Sequence, residues 1–126
     1  MGVLVTHIFP ILGVDNLDDG IEFYTDNLGL VLDWRSDNNA CVLGNGMVSL
    51  ILDVDSNVGP ASVALSVENA DLVLQEWADR GVEIVTPIET QPWGMREFTA
   101  VDTFGNRLVV GHLDENVSRA SVYGAH

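Results

Sequence analysis

Three histidines, one cysteine and three tryptophans are the side chains of this 126-residue chain best suited to hold a metal, attack a substrate or stack on a ligand. His7, His112 and His126 lie far apart with no second donor at ligand spacing, so each reads as an exposed or hydrogen-bonded imidazole. Cys41 stands between Ala40 and Val42, without a Cys-His or Ser-His-Asp arrangement near it, and reads as a small buried hydrophobe. One cysteine closes no intrachain disulfide and builds no thiolate metal cage. The tryptophans divide. Trp77 falls on a helical apolar stripe and reads as core, whereas Trp93, between Pro92 and Gly94 in a loop, has less reason to be core. Trp34 ends a strand and reads either as an ordinary large core residue or as a ligand face. An indole outside the core is a π face for stacking, worth about 0.5–1.5 kcal/mol per stacked pair beyond burial, and nearby carboxylates offset the charge of a cation. Trp34 and Trp93 supply such faces, and Asp53, Asp33 and Asp37 supply charge.

Charge narrows the partners. Five arginines, no lysine and nineteen acidic residues leave a net charge of −14. Nucleic acid is excluded as a partner, because phosphate binding depends on clustered basic side chains. The acidity fits solubility in high salt, and it equally fits attraction of a cationic ligand. Hydrophobic residues make up 47% and charged residues 19%, the composition of a globular chain long enough for one core. The longest apolar runs fall short of the ~20 residues of a membrane span, and the first ten residues lack a basic signal-peptide region, so a cytoplasmic location is expected.

Two stretches look like copies of one unit, and an internal repeat governs the whole fold. Leu17, Ile21, Tyr24 and Leu28 form one helical stripe capped by Asn16 and ended by Gly29; Ala70, Leu74 and Trp77 form another, capped by Asn69 and ended by Gly81. Apolar, β-branched runs surround each helix in the same order: Thr6–Val14, then Leu30–Ser36, Ala40–Leu43 and Met47–Asp53 in the first copy; Ala61–Val67, then Val82–Thr86, Arg96–Val101 and Leu108–His112 in the second. The expectation is an α+β domain over 1–113, of paired βαβββ units (6–53 and 61–113), with curved mixed sheets around a cleft and helices outside. Residues 114–126 read as a polar tail. Along Met47–Asp53 the two-residue period puts Val48, Leu50 and Leu52 under a helix and Ser49, Ile51 and Asp53 on a cleft wall.

With this repeat, the words Phe23-Tyr24-Thr25-Asp26-Asn27-Leu28-Gly29, Ala64-Leu65-Ser66-Val67 and Asp102-Thr103-Phe104-Gly105-Asn106 resemble the vicinal oxygen chelate superfamily of glyoxalases, bleomycin-resistance proteins and extradiol dioxygenases. The resemblance implies four cleft-facing positions that hold a divalent ion in the enzymes, and they fall on Phe9, Ile51, Ser62 and Val109. These are not metal ligands, since an ion needs oxygen or imidazole donors. His112 has the opposite strand parity to Val109 and is expected to point away. Pro10 through Gly29, and Gln91-Pro92-Trp93-Gly94 followed by Arg96-Glu97-Phe98, are similar to the metal-free bleomycin-resistance branch, although Asn39 stands where that branch tends to carry another aromatic. That similarity implies a homodimer with an exchanged N-terminal strand. It also implies antibiotic resistance by sequestration of a bleomycin-type small-molecule ligand in a dimer-interface cleft, without catalysis, metal or cofactor. The implied ligand-binding residues are Trp93, Trp34, Asp53, Phe9, Ile51, Ser62 and Phe98. A metal-dependent lyase, isomerase or dioxygenase of the same superfamily, or a dimerisation module without ligand, are the alternatives.

Overall fold

The computed structural model describes residues 2–44, 48–55 and 57–114. They belong to two compact units, Met1–Ala61 and Ser62–His126. The expected tail beyond Asp114, His126 and the first residue of the Met47–Asp53 run lie outside the described residues.

The first unit runs β1 (Ile11–Gly13), α1 (Leu17–Glu22) continued by a π-helical turn (Phe23–Asn27), β2 (Val31–Arg35), β3 (Asn39–Gly44) and β4 (Val48–Asp53). Its sheet has the order β1-β4-β3-β2, with β1 parallel to β4 and the other neighbours antiparallel. The second runs β5 (Ser62–Ser66), α2 (Ala70–Asp79), β6 (Glu83–Thr90), β7 (Met95–Val101) and β8 (Arg107–Leu113), in the order β5-β8-β7-β6. The architecture is α+β: a βαβββ order stated twice, each with one mixed four-stranded sheet.

Local details repeat as well. Asn16 and Asn69 are both extended, and their Oδ1 atoms accept from the N–H groups of Asp19 (3.0 Å) and Leu72 (3.2 Å), satisfying donors that a helix start leaves open. Left-handed Gly29 and Gly81 follow the helices. In both sheets the outermost hairpin carries an irregularity at the same place, between Leu32 and Trp34 and between Ile84 and Thr86, which leaves Asp33 and Val85 as the extra residues. The helices differ by one residue: Asn16 is thirteen positions before Gly29, Asn69 twelve before Gly81. The π-helical turn absorbs the difference, with Leu28 N–H donating five residues back to Phe23 O and Thr25 Oγ1 donating to the Ile21 carbonyl.

One face of each sheet is buried. In the first unit Leu12, Ala40, Val42, Leu50 and Leu52 meet Leu17, Phe23, Tyr24 and Leu28 of the helix; in the second, Phe98, Ala100, Leu108 and Val110 lie with Ala70 and Trp77. Two strands depart from expectation. β1 begins only at Ile11, because Pro10 has no N–H with which to extend the ladder, and residues 2–10 carry no secondary structure. β6 continues past Thr86 through Pro87, which it tolerates as the edge strand, with the register shifting there.

Candidate functional site

Strand pairing fixes which side chains share the face away from each helix, since residues directly opposite across a ladder point the same way. In the first unit that face carries a row across all four strands: Ile11, Ile51, Cys41 and Trp34. Cys41 is buried, Ile51 half-buried, and Trp34, 44% exposed, ends the row with an accessible ring. The next row holds Gly13, Asp53 and Asn39. Asp53 is half-buried, and its Oδ1 accepts from Asp55 N–H at 2.8 Å, so this carboxylate holds the chain turn after β4 as well as facing the open side. Asp33 sits at the irregularity of β2 and Asp37 in the following turn, both exposed. Phe9 precedes β1, half-exposed, its ring 5.7 Å from that of His7. The adjoining Pro10 carbonyl accepts from Ile51 N–H at 2.9 Å.

In the second unit the corresponding row is Ala64, Val109, Thr99 and Thr86. Trp93 caps the hairpin between β6 and β7. Gly94 N–H donates to Gln91 O (2.9 Å) and Gln91 N–H to Met95 O (2.7 Å), a three-residue loop closed by the left-handed Gly94. Held at the tip, the Trp93 ring is 51% exposed. Ser62 is not near it: Ser62 pairs with Arg107 and Met95 with Leu113, six residues apart on β8, or about 20 Å at the usual strand rise. Phe98 requires a correction. It is fully buried on the helix side, edge-on to Trp77 with centroids 5.9 Å apart, because strand alternation turns Glu97 to the open face and Phe98 inward. His112 shares that inner side, where its Nδ1 accepts from Ala70 N–H at 2.8 Å. Ile11, Thr99 and Glu97 are among the open-face residues that sequence reasoning passes over; for Glu97 and Thr99 the alternation around Phe98 is the available signal.

The four positions that the resemblance implies for an ion repeat their relation in both units. Phe9 lies two residues before Ile11, the partner of Ile51, and Ser62 two before Ala64, the partner of Val109. The donor set does not fit a divalent ion: three positions carry hydrocarbon side chains and the fourth one hydroxyl. Among the described residues no three His, Cys, Asp or Glu side chains gather into a group able to hold a metal, and no helix is long and apolar enough to cross a membrane.

A doubled βαβββ order with its sheets exposing matched rows defines a class of protein. The chain belongs to the Glyoxalase/Bleomycin resistance protein/Dioxygenase superfamily, whose family model matches residues 4–110. Solved structures share the fold at low identity. TioX from Micromonospora sp. ML1 is 17% identical, with a TM-score of 0.78 over 86% of this chain and 99% of that one. TnmS3, an antibiotic binding protein from Streptomyces sp. CB03234, is 21% identical, with a TM-score of 0.77 over 90% and 100%. A glyoxalase/bleomycin resistance protein/dioxygenase from Nocardioides is 23% identical, with a TM-score of 0.75 over 94% and 89%. No curated protein matches the chain.

Proposed function

We propose that this chain is a cytoplasmic, bleomycin-resistance-like binding protein that sequesters a planar, cationic small molecule without changing it. Trp93 is the main stacking face, Trp34 the second, and Asp53 an electrostatic contact, with Phe9 and Ile51 beside it; Ser62, at the far end of β5 from Trp93, is left out of the site. The observation that carries the reading is the Ile11-Ile51-Cys41-Trp34 row: at a position where an enzyme of the family needs a metal donor, this sheet offers an apolar floor running to an exposed indole. TnmS3, which shares the fold, is an antibiotic binding protein, in keeping with this use of the scaffold.

The working form is a homodimer that exchanges its N-terminal strand, with the ligand at the interface. Val3, Leu4, Val5 and Ile8 support this, as exposed apolar side chains that a partner would cover.

The test is a titration with bleomycin at about 100 μM protein, following tryptophan fluorescence and heat, with wild type compared against Trp93→Phe and Trp93→Ala. Stacking quenches emission, and loss of the ring costs about 1–3 kcal/mol of binding, the scale of aromatic stacking on bases. Affinity falls as salt rises, since a protein of charge −14 attracts the cation. The absence of both quenching and heat with wild type would rule bleomycin out as the ligand.

A further inference from the structure

The turn that carries Trp93 is braced from the helix side of its sheet by polar contacts reaching the first turn of α2. Arg96 pairs across the ladder with Thr90 of β6 and with His112 of β8, so the three form one row beside the helix start. Arg96 Nε and Nη2 donate to Oδ2 and Oδ1 of Asp71, both at 2.9 Å, a two-point contact that fixes the guanidinium plane. Its Nη1 donates to Thr90 Oγ1 at 3.4 Å, and that hydroxyl donates to Asp114 Oδ2 at 2.7 Å. Asp114 N–H completes the path by donating to the carbonyl of Gly94 at 2.8 Å, on the residue next to Trp93. The helix start is itself fixed to β8 by the Ala70 to His112 bond.

An isolated surface ion pair contributes little, but this one is the anchored end of a series that finishes on the ligand-facing turn. We propose that Arg96, Thr90 and Asp114 are positioning residues: without touching the ligand, they hold the Pro92–Gly94 turn in its binding geometry before the ligand arrives. This rests on the reading of Trp93 as a stacking face. A turn already ordered loses less freedom on binding, and affinity rises accordingly.

Thr90→Val tests it most cleanly, because valine keeps the β-branched shape and leaves Arg96 on Asp71 while removing the hydroxyl that links Arg96 to Asp114. The heteronuclear NOE of the Trp93 and Gly94 amides, measured on the full chain without ligand, should match that of the β7 amides in wild type. It should fall in Thr90→Val while the core Trp77 indole stays unchanged. Arg96→Lys should lower the same two amides, since an ammonium cannot reproduce the planar fork. The Kd for bleomycin should weaken about two- to tenfold in Thr90→Val, and the substitution should add nothing further in a Trp93→Ala background. Unchanged turn amides in both variants, or an equal weakening with and without the Trp93 ring, would overturn the proposal. A wild type that binds no bleomycin refutes the ligand instead, and the amide measurement still decides whether these residues hold the turn.

Discussion

Replacing Gly13 by alanine probes the geometry beside Asp53, because a methyl group there has nowhere to go. It would overlap the carbonyl oxygen of Val58 and lie 3.2 Å from the Val58 carbonyl carbon and 3.3 Å from the Gly59 oxygen. All three are backbone atoms, so relief requires the segment after β4 to move rather than one side chain to swing aside. Overpacking of this kind costs about 1–3 kcal/mol. Lower freedom of the unfolded chain returns about 0.4–1 kcal/mol. The net loss of about 0–2.6 kcal/mol, centred on about 1.3 kcal/mol, should lower the melting temperature by about 4–7 °C at that central value in a chain of this size. Gly13 pairs with Asp53, whose carboxylate accepts from Asp55 N–H, so the same movement displaces the open-face carboxylate. Gly59→Ala is the control, since a methyl at Gly59 meets nothing within 4 Å. Scanning calorimetry of the three proteins decides the matter. A Gly13→Ala protein melting above wild type would show that the Val58 carbonyl does not lie against Gly13 as described.

Trp77→Ala should destabilise by about 3–5 kcal/mol in urea, since Trp77 is only 5% exposed and sits edge-on to Phe98; a loss below about 1 kcal/mol would contradict its place in the core. Acid should remove the Asp71 contribution: the hydrogen bond from Arg96 holds this carboxyl below its ordinary value in the folded chain, so its stabilisation is complete above the unfolded value of about 3.9 and fades as pH falls through the lower native value. The gap in urea midpoint between wild type and Asp71→Asn should therefore be constant from pH 7 to 5 and narrow steadily as pH falls below about 4, and a gap that does not narrow at all in acid would refute the assignment.

How far sequence reading reaches differs from element to element. Asn16 and Asn69 announce their helices because a cap is a local event between a side chain and an N–H three residues on. Leu50 and Leu52 are buried while Ser49, Ile51 and Asp53 are half-buried, since alternation along a strand needs no knowledge of its neighbours. Val48, although on the inner parity, is 62% exposed at the strand's start. The π-helical turn was hidden because it is a matter of one residue more in one copy than in the other. Pro87 marks an end in sequence, yet edge position decides whether a strand survives it, and edge position is a property of the sheet. Phe98 was misplaced because a motif names neighbours together, whereas strand geometry sends Glu97 and Phe98 to opposite faces.

The two copies share a backbone and divide their chemistry. Both sheets have the irregularity in the outer hairpin, and in both the residue just after it ends the open-face row: Trp34 in one, Thr86 in the other. A device that survives with unrelated side chains belongs to the fold, and its effect is to bend the strand and re-aim the next side chain. The fold thus offers two equivalent places for a projecting group, and this chain puts an indole in only one. Cys41 and Ile51 continue that row in hydrocarbon and sulfur, while Thr99, Val109 and Ala64 keep its counterpart small. For that reason function here has to be argued from individual residues, since family membership alone leaves both binding and catalysis open.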